Sequence, residues 1–444
     1  MQKKYLIWSL PVLFLLAIGI YNIPAVNSRL AWRVDDAFAR VKYFFNPPSD
    51  AVFRPSGAAN LTIETAIVTA RAEYMLTLTP KATMTPTPGA TLTPTITPTP
   101  LPATVSLKGF KYEDQLGYYN YCGPTNFSMA LSYWGWNGNK SVVGKFVMPG
   151  NSYVNNTPQN LDKNVMPYEF QDFIAAKVPG ITSVLRYGGD VNLIKRLIAG
   201  GFPVVAEKGY YEPDTATGKI GWMGHYQFIT GYNDADSTLL VQDTYKDGPN
   251  FKIPYSKFIE GWRNFNYVFV VVYPAKREAE VMSLLGAYAD ESWATKHALE
   301  LATAESNSLS GIDRFFAWFN IGTNHVALRE YVDAATAYDY AFNLYANLGG
   351  DDTTRPYRMM WYQTGPYYAY YYSARYQDVI SLANTTLNDT ISSPTLEESL
   401  LWRGRAYYMT GQTQLAVDDY RAALKVHVNW APAVQALQDL GLQP

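Results

Sequence analysis

An apolar run from Tyr5 to Val26 opens the chain directly behind Lys3 and Lys4. At about 1.5 Å per helical residue it reaches roughly 33 Å, enough to cross a hydrocarbon core about 30 Å thick. The pattern predicts an uncleaved signal-anchor helix over residues 1–28, with its lysines cytoplasmic and Pro11 tolerated within it. A cleaved signal peptide fits less well, because no small-x-small pair stands near Ile23–Ser28. Arg29 and Arg33, on the far side, oppose this orientation. Residues 29–78 have mixed polarity and predict two short helices, Leu30–Phe45 and Asn60–Leu76. Periodicity then vanishes. Thr-Pro pairs begin at Thr79, Thr85, Thr87, Thr93, Thr97 and Thr99. Such a stretch cannot build a core, and it favours polyproline II, so residues 79–106 predict a spacer of roughly 70 Å.

Periodic patterning resumes near Leu107. Phe127, Ala130, Leu131 and Trp134 fall at helical spacing behind the Gly- and Pro-punctuated segment Gly117–Thr125, and Val191–Ala199 also reads as helix. His225–Tyr232 reads as a strand closed by Gly231, and a second strand, Thr238–Val241, delivers Gln242, Asp243 and Thr244. Residues 107–274 therefore predict a mixed α and β domain. Beyond Pro274 apolar residues recur at three and four, so residues 275–444 predict an all-helical domain.

Composition narrows the function classes. The chain has 444 residues, too many for one ordinary core, and 48% of them are apolar, which suits globular domains. The net charge of −2 offers no basic stripe for nucleic acid. The Thr/Pro stalk behind an anchor points to an extracytoplasmic location, with the membrane engaged through the N-terminal helix alone.

One cysteine, Cys122, is present, and it stands where the helix Asn126–Trp136 begins. The positive end of a helix dipole favours thiolate over thiol, so this position suits a nucleophile better than a structural cysteine. A base is required. Of the four histidines, His297, His325 and His427 lie in the helical region, and His225 alone shares the domain of Cys122. Asp243, at hairpin distance, can orient the imidazole, completing a nucleophile–base–orienter set. One Cys and one His fall short of a zinc ligand set, and no cofactor or metal is expected. Asp234 and Asp236 read as a plain turn.

Four segments in order resemble the bacteriocin-processing, double-glycine-type peptidase family, which shares the papain-like fold. These are Gln115 ahead of Tyr121-Cys122-Gly123-Pro124-Thr125; Gly200-Gly201-Phe202-Pro203-Val204-Val205; His225 to Tyr232; and Val241-Gln242-Asp243. The resemblance implies an α+β papain-like cysteine peptidase domain over residues 107–274. It implies Cys122 as nucleophile, His225 as general base then acid, Asp243 as the His-orienting group, and Gln115 as an oxyanion donor beside the Cys122 N–H. Thr244 stands where many relatives carry Pro. No Gly-x-x-x-x-Gly-Lys loop occurs, so leader removal coupled to a transporter is not implied.

The helical domain resembles tetratricopeptide repeats. Trp318, Ile321, Gly322, Ala334, Tyr338 and Ala341 fit the pattern once, and Gly404, Tyr407, Ala416, Tyr420 and Ala423 fit it again, with a degenerate unit around Tyr370, Tyr376 and Val379 between them. Such repeats either present a groove for a peptide or protein or simply cap the peptidase. The expected function is a membrane-anchored, extracytoplasmic cysteine peptidase whose helical repeats bind substrate or partner. Two alternatives stay open: an inactive cell-surface binding module on a peptidase-like fold, and an acyl transferase using the same triad.

Overall fold

A long strand organises the first half of the molecule. In the computed structural model, which describes residues 52–57, 100–118, 120–150, 152–154, 157–159, 165–213, 220–348, 355–389 and 396–444, a seven-stranded sheet runs through residues 104–274. Its strands are β1 (Thr104–Ser106), β4 (Ile181–Arg186), β5 (Val204–Pro213), β6 (Ile220–Asn233), β7 (Thr238–Gln242), β8 (Phe251–Pro254) and β9 (Phe269–Pro274). A separate two-stranded ribbon joins β2 (Ser152–Val154) to β3 (Thr157–Gln159). The large sheet has the order β4-β9-β5-β6-β7-β8, with β1 added to β6, and every pair is antiparallel.

The pairing of β6 creates the opening that the site uses. On one side β6 pairs with β5 from Ile220 to Ile229. On the other, its register with β7 begins only at Phe228 and runs to Asn233. The first half of β6 therefore offers backbone groups on the β7 side that another element must satisfy.

Helices α1 (Cys122–Tyr133), α2 (Lys140–Val147) and α3 (Pro167–Lys177) cover one face of the sheet, and α4 (Val191–Ala199) and α5 (Tyr255–Arg263) belong to the core of the other. The strand period of two sorts β5 between them. Val205 joins Phe127, Leu131, Phe170 and Tyr226 on the α1 face, whereas Val204 and Ala206 join Leu193, Ile194, Leu197 and Ile198 of α4. Each fully buried Val, Leu, Ile or Phe among them contributes roughly 1.5–3 kcal/mol of transfer free energy. Asp190 caps α4 by accepting the Leu193 N–H at 2.8 Å.

Sequence pattern placed the start of this domain at Leu107. The structure uses three residues more, because β1 (Thr104–Ser106) pairs with Asn233, Tyr232 and Gly231 beyond the end of β5. The expected anchor, both juxtamembrane helices and the Thr-Pro stretch up to Thr99 lie outside the described residues; before residue 100 only residues 52–57, between those two helices, are described. Among the described residues no helix is long and apolar enough to cross a membrane. The Asp234–Asp236 turn carries ion pairs, Lys195 to Asp234 at 2.7 Å and Lys252 to Asp236 at 2.9 Å, as a surface turn does.

After β9 the chain is helical: α6 (Glu278–Leu285), α7 (Glu291–Ser308), α8 (Gly311–Ala327), α9 (Tyr331–Asn347), α10 (Met359–Tyr362), α11 (Gly365–Tyr372), α12 (Tyr376–Asn384), α13 (Glu397–Met409), α14 (Thr413–Val426) and α15 (Ala431–Asp439). Two helix pairs repeat one contact. A Cβ on Gly322 would lie 2.7 Å from the Tyr338 ring, and one on Gly404 would lie 2.6 Å from the Tyr420 ring. Only glycine permits α8 and α9, or α13 and α14, to approach so closely.

The helical region and the sheet share a core. Trp222 of β6 stacks on Phe265 with centroids 5.6 Å apart and meets Phe316 of α8 at 5.8 Å. Asn266 donates to Asn324 at 2.8 Å, and Arg358 donates to the Trp222 carbonyl at 3.1 Å. The segment 52–57 docks on this region too. Phe53 sets its edge on Phe342 at 5.0 Å, and Ser56 bonds both Asp378 carboxylate oxygens, at 2.9 and 2.6 Å.

Candidate active site

Helix α1 starts at the open edge of β6. Asn126, one turn into the helix, donates its Nδ2 to the Tyr226 carbonyl at 2.8 Å and to the Cys122 carbonyl at 2.7 Å. One amide thus supplies the partner that β7 does not, and fixes the helix start to the strand. Gly123 permits the approach, since a Cβ there would lie 2.6 Å from Phe170 and 3.3 Å from Tyr226. Cys122 is the first residue of α1, and Asn120, two residues before it, takes a left-handed φ of 56° that turns the loop into the helix.

Three sequence-predicted residues meet here. The half-buried Cys122 thiol hydrogen-bonds His225, and the other side of the imidazole, Nε2, lies 2.9 Å from Asp243 Oδ2. With Nε2 engaged by the carboxylate, Nδ1 is the nitrogen that serves the thiol. His225 and Asp243 are 5% and 4% exposed, so water screens this line poorly. Asp243 is held from two further directions: the Tyr245 N–H donates to Oδ1 at 2.8 Å, and Gln227 Nε2 donates to Oδ2 at 3.2 Å.

The electrostatics follow from these contacts. Burial, the largest single influence, pushes the Cys122 thiol up. The His225 hydrogen bond and charge, with the Tyr226 and Gly123 N–H groups, outweigh it, and the net direction is below the usual thiol value. Burial also opposes a charge on His225, but its bonds to Asp243 and Cys122 prevail and raise it to about 10. For Asp243, burial is the largest single influence and acts upward, but the His225 bond and charge, with the Tyr245 and Gln227 bonds, together outweigh it and leave the carboxyl ionised well below its usual range. The arrangement favours a thiolate–imidazolium pair, the reactive form of a cysteine nucleophile.

Gln115 enters this site by a different route. Its backbone N–H donates to the Thr244 carbonyl at 2.7 Å, and its side-chain oxygen accepts the Thr244 hydroxyl at 2.7 Å. The carboxamide is held by its oxygen, which leaves the NH2 as the end that can donate. Tyr112 adds a second tie by donating to the Asp243 carbonyl at 2.8 Å.

Sequence reasoning missed several members of the site: Asn126, Gln227, Tyr112 and Thr244. It also missed Glu207, on β5 beside Tyr226 and 3% exposed, whose carboxyl is raised well above its usual range by burial and by the Cys122 charge. Tyr362 of α10 packs against Gly224, where a Cβ would lie 3.0 Å from its ring, so the helical region reaches to the residue before His225.

An antiparallel sheet, a helix-borne cysteine and a strand-borne histidine are thus followed by a helical C-terminal part. Residues 107–270 match the model of the Peptidase_C39 like family, a span that includes β4 to β8 and Gln115, Cys122, His225 and Asp243. A crystal structure from Bacillus anthracis, described as a "putative C39-like peptidase", is similar over 38% of this chain and 97% of its own, with 15% identity and a TM-score of 0.30. No curated protein matches the chain.

Proposed function

We propose that the protein is a cysteine peptidase that hydrolyses peptide bonds through Cys122, His225 and Asp243. The observation that carries this reading is the buried line from thiol to imidazole to carboxylate, with the thiol lowered and the imidazole raised. The thiolate attacks the scissile carbonyl, and the oxyanion forms beside the Cys122 N–H and the Gln115 carboxamide. His225 gives its proton to the leaving amine, and the acyl group remains on Cys122 as a thioester. Water, deprotonated by His225, then releases the acid.

The anchor predicted by Tyr5–Val26 and the Thr-Pro spacer set this chemistry outside the cytoplasmic membrane, at the cell surface. The helical region, read as tetratricopeptide-like from its two Gly–Tyr crossings, binds the substrate or a partner protein. Support for a role beside the site comes from Tyr362 and Arg358, which pack on β6 next to His225.

Incubating the full-length chain with a degenerate peptide mixture, and reading new termini by mass spectrometry, tests the proposal. New termini that vanish in Cys122→Ala support it, and a wild-type chain that makes none contradicts it. Adding a primary amine separates the two acyl acceptors: products with a free carboxylate mean hydrolysis, and amide-linked amine means acyl transfer.

A further inference from the structure

Far from the catalytic cysteine in sequence, three ligand-type side chains converge where the peptidase-like part meets the helical region. Glu169 lies in the first turn of α3, Glu397 opens α13, and His427 closes α14. One donor atom from each lies within 4.8 Å of the other two. His427 Nδ1 is 3.1 Å from Glu397 Oε1 and 3.7 Å from Glu169 Oε1.

The carboxylates are poorly placed as a bare pair. Glu169 is 4% exposed and Glu397 0%, and the buried Glu398 stands beside them. An unpaired carboxylate in such surroundings is costly, and two together are more so. Glu169 feels Glu397, Glu398 and Asp172 as like charges. Meanwhile Glu169 Oε1 and Glu397 Oε2 are buried atoms with no hydrogen-bond partner. The second Glu169 oxygen is fixed, because Oε2 accepts the Met166 N–H at 2.6 Å, which leaves Oε1 turned toward the cluster.

We propose that Glu169, Glu397 and His427 bind a divalent metal ion, with zinc the best match, that joins the helical region to α3. Zinc takes imidazole nitrogen and carboxylate oxygen at about 2.0–2.2 Å, which places neighbouring ligand atoms of a tetrahedral site roughly 3.3–3.6 Å apart. The observed separations of 3.1 and 3.7 Å bracket that range. Calcium or magnesium would call for more oxygens and no imidazole. The ion would take the place of the proton between His427 and Glu397 and neutralise the charge that the two carboxylates bring together. The residues come from segments about 230 positions apart, so counting ligands within residues 107–274 does not find them.

The test uses the full-length chain carrying Cys122→Ala, so that the thiol cannot take the metal, stripped with a chelator and titrated with Zn2+ or Co2+. One equivalent of saturable binding is expected, with a higher melting temperature and, for Co2+, visible d–d absorption. Glu397→Gln and His427→Ala should each weaken binding by about a hundredfold or more, since even outer-sphere changes weaken sites by about 10–100-fold. Glu397→Gln should also melt no lower than the metal-free parent, because it removes one of two like charges. No saturable binding, or binding that both variants leave unchanged, overturns the proposal. So does a melting temperature that rises on acidification but ignores Zn2+, which would identify a proton shared by the two carboxyls.

Discussion

Two of the residues on which the proposed chemistry rests are legible because they are rare. A chain with one cysteine offers one thiol, and only one of four histidines shares its domain. Asp243 follows from the hairpin, since β6 and β7 pair antiparallel and bring it to His225. Thr244 stood out in the sequence only as the residue where many relatives carry Pro, yet its hydroxyl holds the Gln115 side chain, a partner 129 positions away that no local pattern indicates. Gln115→Ala should lower kcat by about a hundredfold if its NH2 meets the oxyanion. Thr244→Val should lower kcat in the same direction but less, with KM nearly constant, as steady-state kinetics on any cleaved peptide will show. A Gln115→Ala enzyme with unchanged kcat removes Gln115 from the site. The pH profile of kcat/KM should rise from below the ordinary thiol range and fall near pH 10, as Cys122 gains and His225 loses the reactive form.

At the scale of elements, periodicity marked α4 because it buries one face, whereas α1, buried from Gly123 to Leu131, and the strands, buried on both faces, were marked by apolar runs between Gly and Pro punctuation. Sheet order was not legible. The contribution of β1 and the short register of β7 depend on pairing between residues more than a hundred positions apart in one case and on a hairpin bulge in the other. The open edge of β6 is nevertheless what admits α1, through Asn126 and Gly123. Gly123→Ala should push the helix from that edge, because the new methyl would meet the packed Phe170 ring. The expected loss is about 1–3 kcal/mol by denaturant midpoint, accompanied by slower reaction at Cys122. An unchanged midpoint would mean that Phe170 yields freely.

At the scale of the molecule, a boundary at Pro274 marks a change of secondary structure and not a gap in the core. Trp222 and Phe265 from one side interleave with Phe316 and Tyr362 from the other. The helices beyond Pro274 were legible from apolar recurrence at three and four. The joint to the sheet was not, since a helical pattern does not say which neighbour covers its apolar face. Calorimetry of the full-length chain should therefore show one cooperative transition, and two well-separated transitions would contradict a shared core. Ser56→Ala, which removes a hydroxyl bonded at 2.6 Å to Asp378, should lower stability by about 1–2 kcal/mol if the segment before the Thr-Pro spacer is clipped to the helices.

The most direct test of the central claim is the alkylation rate of Cys122 in the full-length chain as a function of pH. The sole thiol makes every adduct assignable. Alkylation should remain fast well below the ordinary thiol pKa of about 8.5, and His225→Ala should shift the profile up to that value or beyond it, because burial then acts without the imidazole's hydrogen bond and charge. A wild-type profile centred at the ordinary value, or one that His225→Ala leaves unmoved, would contradict a thiolate–imidazolium pair and with it the peptidase mechanism.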